Sequence, residues 1–300
     1  MRKLILLAAV VCAPLFAHAQ YYWEFGGGVG AGNLLGEMGG DELTRRDFVA
    51  DMKLNQTRQS ANTFVRYKLT PIFSIKSGIN YICVRGADSL SSNIGRNTRN
   101  LSVRNNMVEA YSEFQWFFFE INDLGRTYRY KDNFRAYVGL GAGVMYHNPQ
   151  AFYQGEWVNL RPLTTEGRRY TAVTMTIPAS AGFYFTINKQ YRIGWNLCWR
   201  TTTTDYLDDI STNYADESVL SSPLAIALAN RAISNDADPA AFFSHAPGQK
   251  RGDPTHKDSF LTTNIEFSYV YRGKSAIYKS KYSHVFKGQK YKKRKVRAKF

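Results

Sequence analysis

This 300-residue chain has no apolar run long enough to cross a membrane as a helix, and it has only three cysteines. The first absence excludes a helical membrane protein, since a span needs about 18 apolar residues or more. The second bears on cross-linking. Cys12 lies in the N-terminal leader described below, and Val11 before it is too large for a lipid-attachment signal. Cys83 and Cys198 fall on opposite faces of strands that are not neighbours in a meander, so no disulfide is expected. No metal-ligand spacing is present. The histidines are few, and His147, His245 and His256 have no Ser, Cys or carboxylate partner at an informative distance, so none is given a catalytic role. A Pro/Ser-rich linker is also missing, which argues for one domain with a tail. Acidic residues are absent from Gly273 to Phe300, where eleven Lys/Arg stand; taking these and the two of the leader from the net charge of +15 leaves +2 for residues 20–272. The body is nearly neutral, and the basicity belongs to the tail.

What is present fits a secreted barrel. Residues 1–19 read as a signal peptide: Arg2 and Lys3, an apolar run from Leu4 to Phe16, then Ala17-His18-Ala19 as a cleavage site. Aromatics reach 15%, with 20 Tyr and 19 Phe, yet mean hydropathy is only −0.37. A membrane β-barrel gives this combination, because outward apolar residues are averaged against inward polar ones and polar loops.

Eight stretches alternate with a period of two. The first runs from Tyr21 to Ala31, with Glu24, Gly26, Gly28 and Gly30 inward. Those glycines loosely match a dinucleotide fingerprint, but no helix follows. The others are Ala61–Leu69, Ile72–Arg85, Met107–Glu120, Phe134–His147, Val173–Ile187, Tyr191–Arg200 and Ser259–Arg272. In the fourth, Phe117 and Phe119 are expected to thicken an outward aromatic girdle. Polar loops are expected at 33–60, 86–106 and 148–172, and the longest, Asp205–Asp258, should hold a helix from Ser222-Pro223. The fold class is therefore all-β: an eight-stranded antiparallel up-and-down transmembrane barrel spanning 20–272, with long extracellular loops and a basic periplasmic tail, 273–300.

An eight-stranded barrel is filled by its own side chains. The inward charges Glu24, Arg66, Lys76, Glu109, Glu113, Arg135, Arg192, Arg200 and Glu266 are expected to pair and plug the lumen, leaving no open pore. The acidic-aromatic block Asp205, Tyr206, Leu207, Asp208 and Asp209 follows the seventh strand. It lacks the glycine turn and ligand ladder of a calcium loop, so it is expected to order its loop or touch a partner. Arg251-Gly252-Asp253 reads as a turn. The tail cations Lys274, Lys279, Lys281, Lys287, Lys290, Lys292, Lys293, Arg294, Lys295, Arg297 and Lys299 are interleaved with aromatics and point to an anionic headgroup, cell wall or protein partner. Nucleic acid is not expected in an exported protein.

Several stretches together resemble the PorG family, outer-membrane barrels of the type IX secretion and gliding machinery of Bacteroidetes. They are residues 22–28 (YWEFGGG), 146–149 (YHNP), 160–167 (LRPLTTEG), Ile177-Pro178 and, most specifically, 204–212 (TDYLDDIST). The resemblance implies a non-enzymatic outer-membrane subunit without cofactors. It would tether a periplasmic ring of the lipoprotein PorK and of PorN, and support export of proteins with C-terminal sorting domains, with outer-membrane lipid and peptidoglycan as further contacts. Both termini would be periplasmic. The competing expectation is an independent adhesin or envelope-stabilising barrel whose tail binds the cell wall.

Overall fold

The computed structural model describes residues 23–36, 38, 52, 54–91, 93–120, 133–188, 190–232 and 245–271. The expected signal peptide, the connection after the fourth strand and the basic tail lie outside the described residues. Ten strands form one antiparallel sheet: β1 (Trp23–Leu35), β2 (Arg58–Lys68), β3 (Phe73–Ala87), β4 (Ser102–Glu120), β5 (Asn133–Tyr146), β6 (Pro149–Tyr153), β7 (Glu156–Asn159), β8 (Val173–Ile187), β9 (Tyr191–Thr202) and β10 (Ser259–Tyr271). The pairing β3–β4 joins the two halves of the sheet, and β1 pairs β10 from Trp23–Tyr271 to Leu35–Ser259. Eight strands therefore close into a barrel, and β6–β7 is a hairpin added to the top of β4. Two short helices, α1 (Ile94–Arg99) and α2 (Pro223–Ala229), lie in the connections. Helix α2 starts where its sequence places it, with the Ser222 side chain accepting from the Ala225 N–H and proline in the first turn.

The outer wall is apolar across the middle. Phe25, Val29, Ile79, Phe114, Trp116, Leu140, Met175, Ile177, Ile265 and Phe267 are all exposed. Rings crowd its lower edge, the end of the short turns, where Phe134 contacts Phe119, Phe183 and Phe185. The interior is tight enough to dictate glycine: a Cβ on Gly141 would lie 2.1 Å from the Ser112 carbonyl, and one on Gly30 would lie 1.9 Å from that of Thr263.

Three expectations need correction. The strands continue above the apolar wall, so β3 reaches Ala87 and β4 begins at Ser102, leaving a loop of 88–101 in place of 86–106. β1 likewise reaches Leu35 and β2 begins at Arg58, so the first loop is shorter than 33–60. The reason is that the alternation inverts. Below, inward positions are polar (Lys76, Asn80, Glu109, Glu113); above, Ile82, Val84, Val103, Met107, Met145 and Phe260 point in and are fully buried, in one cluster with Leu207, Ile210 and Leu228 from the long loop. Second, Phe117 is not in the outer girdle. A bulge between Phe117 and Phe119 turns both Phe118 and Phe119 outward. Phe117 stays on the inward parity and packs against Tyr137 and Tyr184 at 5.5 and 5.9 Å. Third, the loop after β5 is not plain coil but contains the β6–β7 hairpin, whose Ala151 and Val158 add to the upper core.

Candidate functional site

The lumen charges form a ladder. At the bottom, Glu24 receives Arg66 Nη1 at 2.6 Å, Arg192 Nη1 and the Ser268 hydroxyl at 2.5 Å. One step up, Lys76 Nζ donates to Glu266 at 2.6 Å, with Arg66 3.9 Å from the other oxygen. Higher still, Arg200 Nε donates to Glu109 at 2.6 Å, and Thr176 and Asn80 also donate to that carboxylate. Glu113 accepts from the Ser180 hydroxyl at 3.0 Å. Aromatic faces line the guanidiniums: Arg66 lies 5.1 Å from the Tyr184 centroid, Arg192 4.4 Å from it, and Arg135 5.3 Å from that of Phe117. A buried ion needs such pairing, because removing water from it costs several kcal/mol. Two cavities among the described lumen residues have volumes of only about 10 Å³ each, roughly one water. Side chains thus fill the lumen at this level.

At the long-loop end the chain builds a second polar site over the apolar core. The block after β9 is folded inward: Asp205, Leu207, Asp208 and Asp209 are all buried. Leu207 anchors it, with its N–H donating to Asp258 Oδ2 at 2.9 Å and its carbonyl receiving Asn105 Nδ2 at 2.7 Å. Asp209 has left-handed backbone, φ 66°, a conformation Asp tolerates better than most side chains. Its carboxylate accepts from Thr165 Oγ1 at 2.5 Å and from the Tyr170 hydroxyl at 2.6 Å. Glu166, on the segment 160–167, accepts from the N–H groups of Ser211 and Thr212 and from the Thr212 hydroxyl, at 2.9, 3.0 and 2.8 Å. Arg251 closes the cluster, donating to Glu166 Oε1 at 2.9 Å and to the Asp209 carbonyl at 2.5 Å. Beside it, Asp88 holds Arg99 through two bonds of 2.7 and 2.9 Å, and Arg99 also donates to the Arg251 carbonyl at 2.7 Å. The rings of His147, Tyr170 and Tyr206 stack, with 6.1 and 4.5 Å between successive centroids.

Electrostatics follow from this burial. Loss of water pushes the Asp209 carboxyl up to about 6, against the opposing pull of Arg251 and of the two hydroxyls. Burial also holds the His147 imidazole down to about 4. Among the described residues no group of three or more His, Cys, Asp or Glu is arranged to hold a metal ion.

The Asp205–Asp209 block thus comes together with Glu166, Tyr170 and Arg251, three residues that no local spacing in the sequence marks as a site. The tripeptide Arg251-Gly252-Asp253 is not displayed as a ligand: Arg251 is buried in the cluster, and Asp253 accepts from Thr255 at 2.7 Å. Cys198 faces the lumen, and Cys83 has outward parity on β3; both thiols are free. The tail cations lie outside the described residues.

No protein-family model matches the chain, and no curated protein matches its sequence. Similar solved structures include the attachment invasion locus protein Ail of Yersinia pestis, with TM-score 0.33 and 8% identity, covering 84% of this chain and 99% of that one. Neisserial surface protein A has TM-score 0.35 and 5% identity, covering 84% and 98%. OprG of Pseudomonas aeruginosa has TM-score 0.35 and 9% identity, covering 85% and 100%. At such identities these likenesses add nothing beyond what the pairing of the strands already establishes: the chain is a closed, antiparallel, eight-stranded β-barrel.

Proposed function

We propose that this chain is a non-enzymatic outer-membrane barrel serving as the membrane anchor of a protein-secretion apparatus of the type IX kind, with the PorK/PorN-type ring beneath it. The apolar outer wall supports the membrane placement, since so large an exposed apolar surface is stable only when covered. One observation carries the finer reading. Two of the stretches that resemble the PorG family, 160–167 and the more specific 204–212, are distant in sequence yet meet across Glu166 and Asp209. They form one folded unit, so the resemblance follows a structural module and not scattered positions. In this reading the short-turn end faces the periplasm. Both the connection 121–132 and the tail 273–300 leave from that end and are the segments that would reach a ring.

Affinity capture of the tagged chain from solubilised membranes tests the proposal. Co-purification of a PorK-like lipoprotein is the expected result. Its absence, together with normal export of proteins bearing C-terminal sorting domains in a deletion strain, refutes it. The second reading, an independent envelope-stabilising or adhesive barrel, is favoured by one feature: the largest folded addition to the barrel among the described residues sits at the end away from Trp23 and Tyr271. It predicts normal export in that strain and a weakened envelope.

A further inference from the structure

We propose that the outward face of β3 and β4 just above the apolar wall, with the β6–β7 hairpin, binds the phosphorylated headgroup of an outer-leaflet glycolipid. Register is the first argument. Arg85 on β3 and Arg104 on β4 are directly opposed partners, both on the outward parity. Like charges facing each other across a sheet are destabilising unless something neutralises them. Among the described residues, Arg85 has no hydrogen bond or ion pair. Arg104 donates through Nη2 to Gln150 at 2.8 Å, while its buried Nε is left without an acceptor. Arg58 lies with these two within electrostatic reach of Cys83. Arg231 approaches from the long loop, with Nη1 3.5 Å from the Ser102 hydroxyl, two residues above Arg104 on β4. None of the four makes an ion pair with a described carboxylate, and Glu156 of the hairpin is on its other face, opposite Tyr153. Arg85, Arg104 and Arg231, with no described carboxylate against them, fit an anion, and arginine suits phosphate in particular.

Height is the second argument. The last exposed apolar partners of the wall on these strands are Tyr81 and Val108, and directly beside them the inward partners Ile82 and Met107 begin the inverted pattern. That inversion marks where lipid gives way to water. Arg85 and Arg104 lie four residues further, which at roughly 3.4 Å per residue and a tilt of about 40° is on the order of 10 Å above the edge. This is the level of headgroups. The third argument is an aromatic shelf at the same level. Phe152 and Trp157 are cross-strand partners on the outer face of the hairpin, 5.3 Å apart, and Phe152 is 46% exposed. The Arg104 guanidinium lies 3.9 Å from the Trp157 centroid. Rings and cations together match a ligand with an apolar end and an anionic end, which a free phosphate does not have.

The inference rests on the reading that the long-loop end faces outside, and it is tested without secretion partners. The full-length chain, purified in neutral detergent after loading with lipid A carrying both phosphates, is examined by native mass spectrometry. The expected result is retention of one lipid A, retention weakened roughly thirtyfold in R85Q/R104Q, and none for dephosphorylated lipid A. Inorganic phosphate should not compete at equal concentration. The heat-dependent gel shift of the folded barrel serves as the control for the double variant. If that variant does not fold, R85Q alone, which removes no hydrogen bond or ion pair to a described residue, should weaken retention several-fold. Unchanged retention in the folded variants, equal retention of the dephosphorylated lipid, or displacement by inorganic phosphate overturns the proposal. Failure to capture a ring protein leaves it standing, whereas protease access to 203–258 only from the periplasmic side overturns the orientation on which both readings depend.

Discussion

Glu166 and Arg251 hold the cap together, and the cost of losing either follows from their burial. Glu166→Gln removes one partner of a buried pair and weakens four further hydrogen bonds, a change worth about 3 kcal/mol. Limited proteolysis should then cut within 203–258 while the barrel keeps its heat-dependent gel shift; equal resistance of variant and native cap would rule out this role. Titration gives a second expectation. Asp209 keeps its proton up to about 6 in the folded cap, against an ordinary 3.8. Its contribution to stability is therefore fully present below the ordinary value and is lost as pH rises to 6. His147, held to about 4 from an ordinary 6.5, runs the other way: its contribution is present above 6.5 and lost as pH falls through 4. In the native cap the two offset each other between pH 4 and 6. Asp209→Asn leaves His147 unopposed, so the cap should weaken by about 2 kcal/mol on acidification across that window, read as faster proteolysis at pH 4.5 than at 7. A flat profile in the variant would contradict this.

Among the elements, the strands were legible wherever lipid and lumen supply the two faces. Phe25, Val29, Leu140, Ile265 and their alternating polar partners need no knowledge of the fold to be assigned. Legibility failed where the outer medium changes. Above the wall the outside is water and the inside is oil, so Val103-Arg104-Asn105 carries the opposite phase and reads as loop, and the alternation of β3 is followed only to Arg85, short of Gly86-Ala87. The Phe117–Phe119 bulge hid a second fact, since a run of three phenylalanines cannot say which ring turns inward. The partnership of Glu166 with Arg251 was invisible for another reason: no period links residues that only the closing of two loops brings together. The crowded glycines give the prediction at this scale. Gly141→Val would place carbon within the Ser112 carbonyl and prise β4 from β5. The expected outcome is loss of the folded band on unheated gels, whereas Ala142→Val, on the outward face of the same strand, should be tolerated.

At the scale of the whole molecule, the interior has two tiers, a charged ladder within the apolar wall and a hydrocarbon core above it. Neither leaves a passage, so planar bilayers should show no large, stable conductance; a steady open level would disprove the plugged lumen. Removing one charge of the ladder should be more disruptive than removing a pair. Glu266→Gln strands Lys76 in a dry site and should cost about 3–5 kcal/mol, while Glu266→Gln with Lys76→Met should recover most of that loss, as measured by urea-dependent unfolding in micelles.

The seam between β1 and β10 joins the first and last strands described, the pairing of greatest sequence separation in the barrel, and until it forms the sheet exposes two open edges. Arg251 stands only a few residues before β10 begins. Once its guanidinium docks beside Glu166 and Asp209, the final strand is delivered to the lip of the first with little chain left to search. Cap formation before closure would shorten that search. The same Glu166→Gln change that loosens the cap should slow the appearance of the closed form during refolding, even where the closed form, once made, persists.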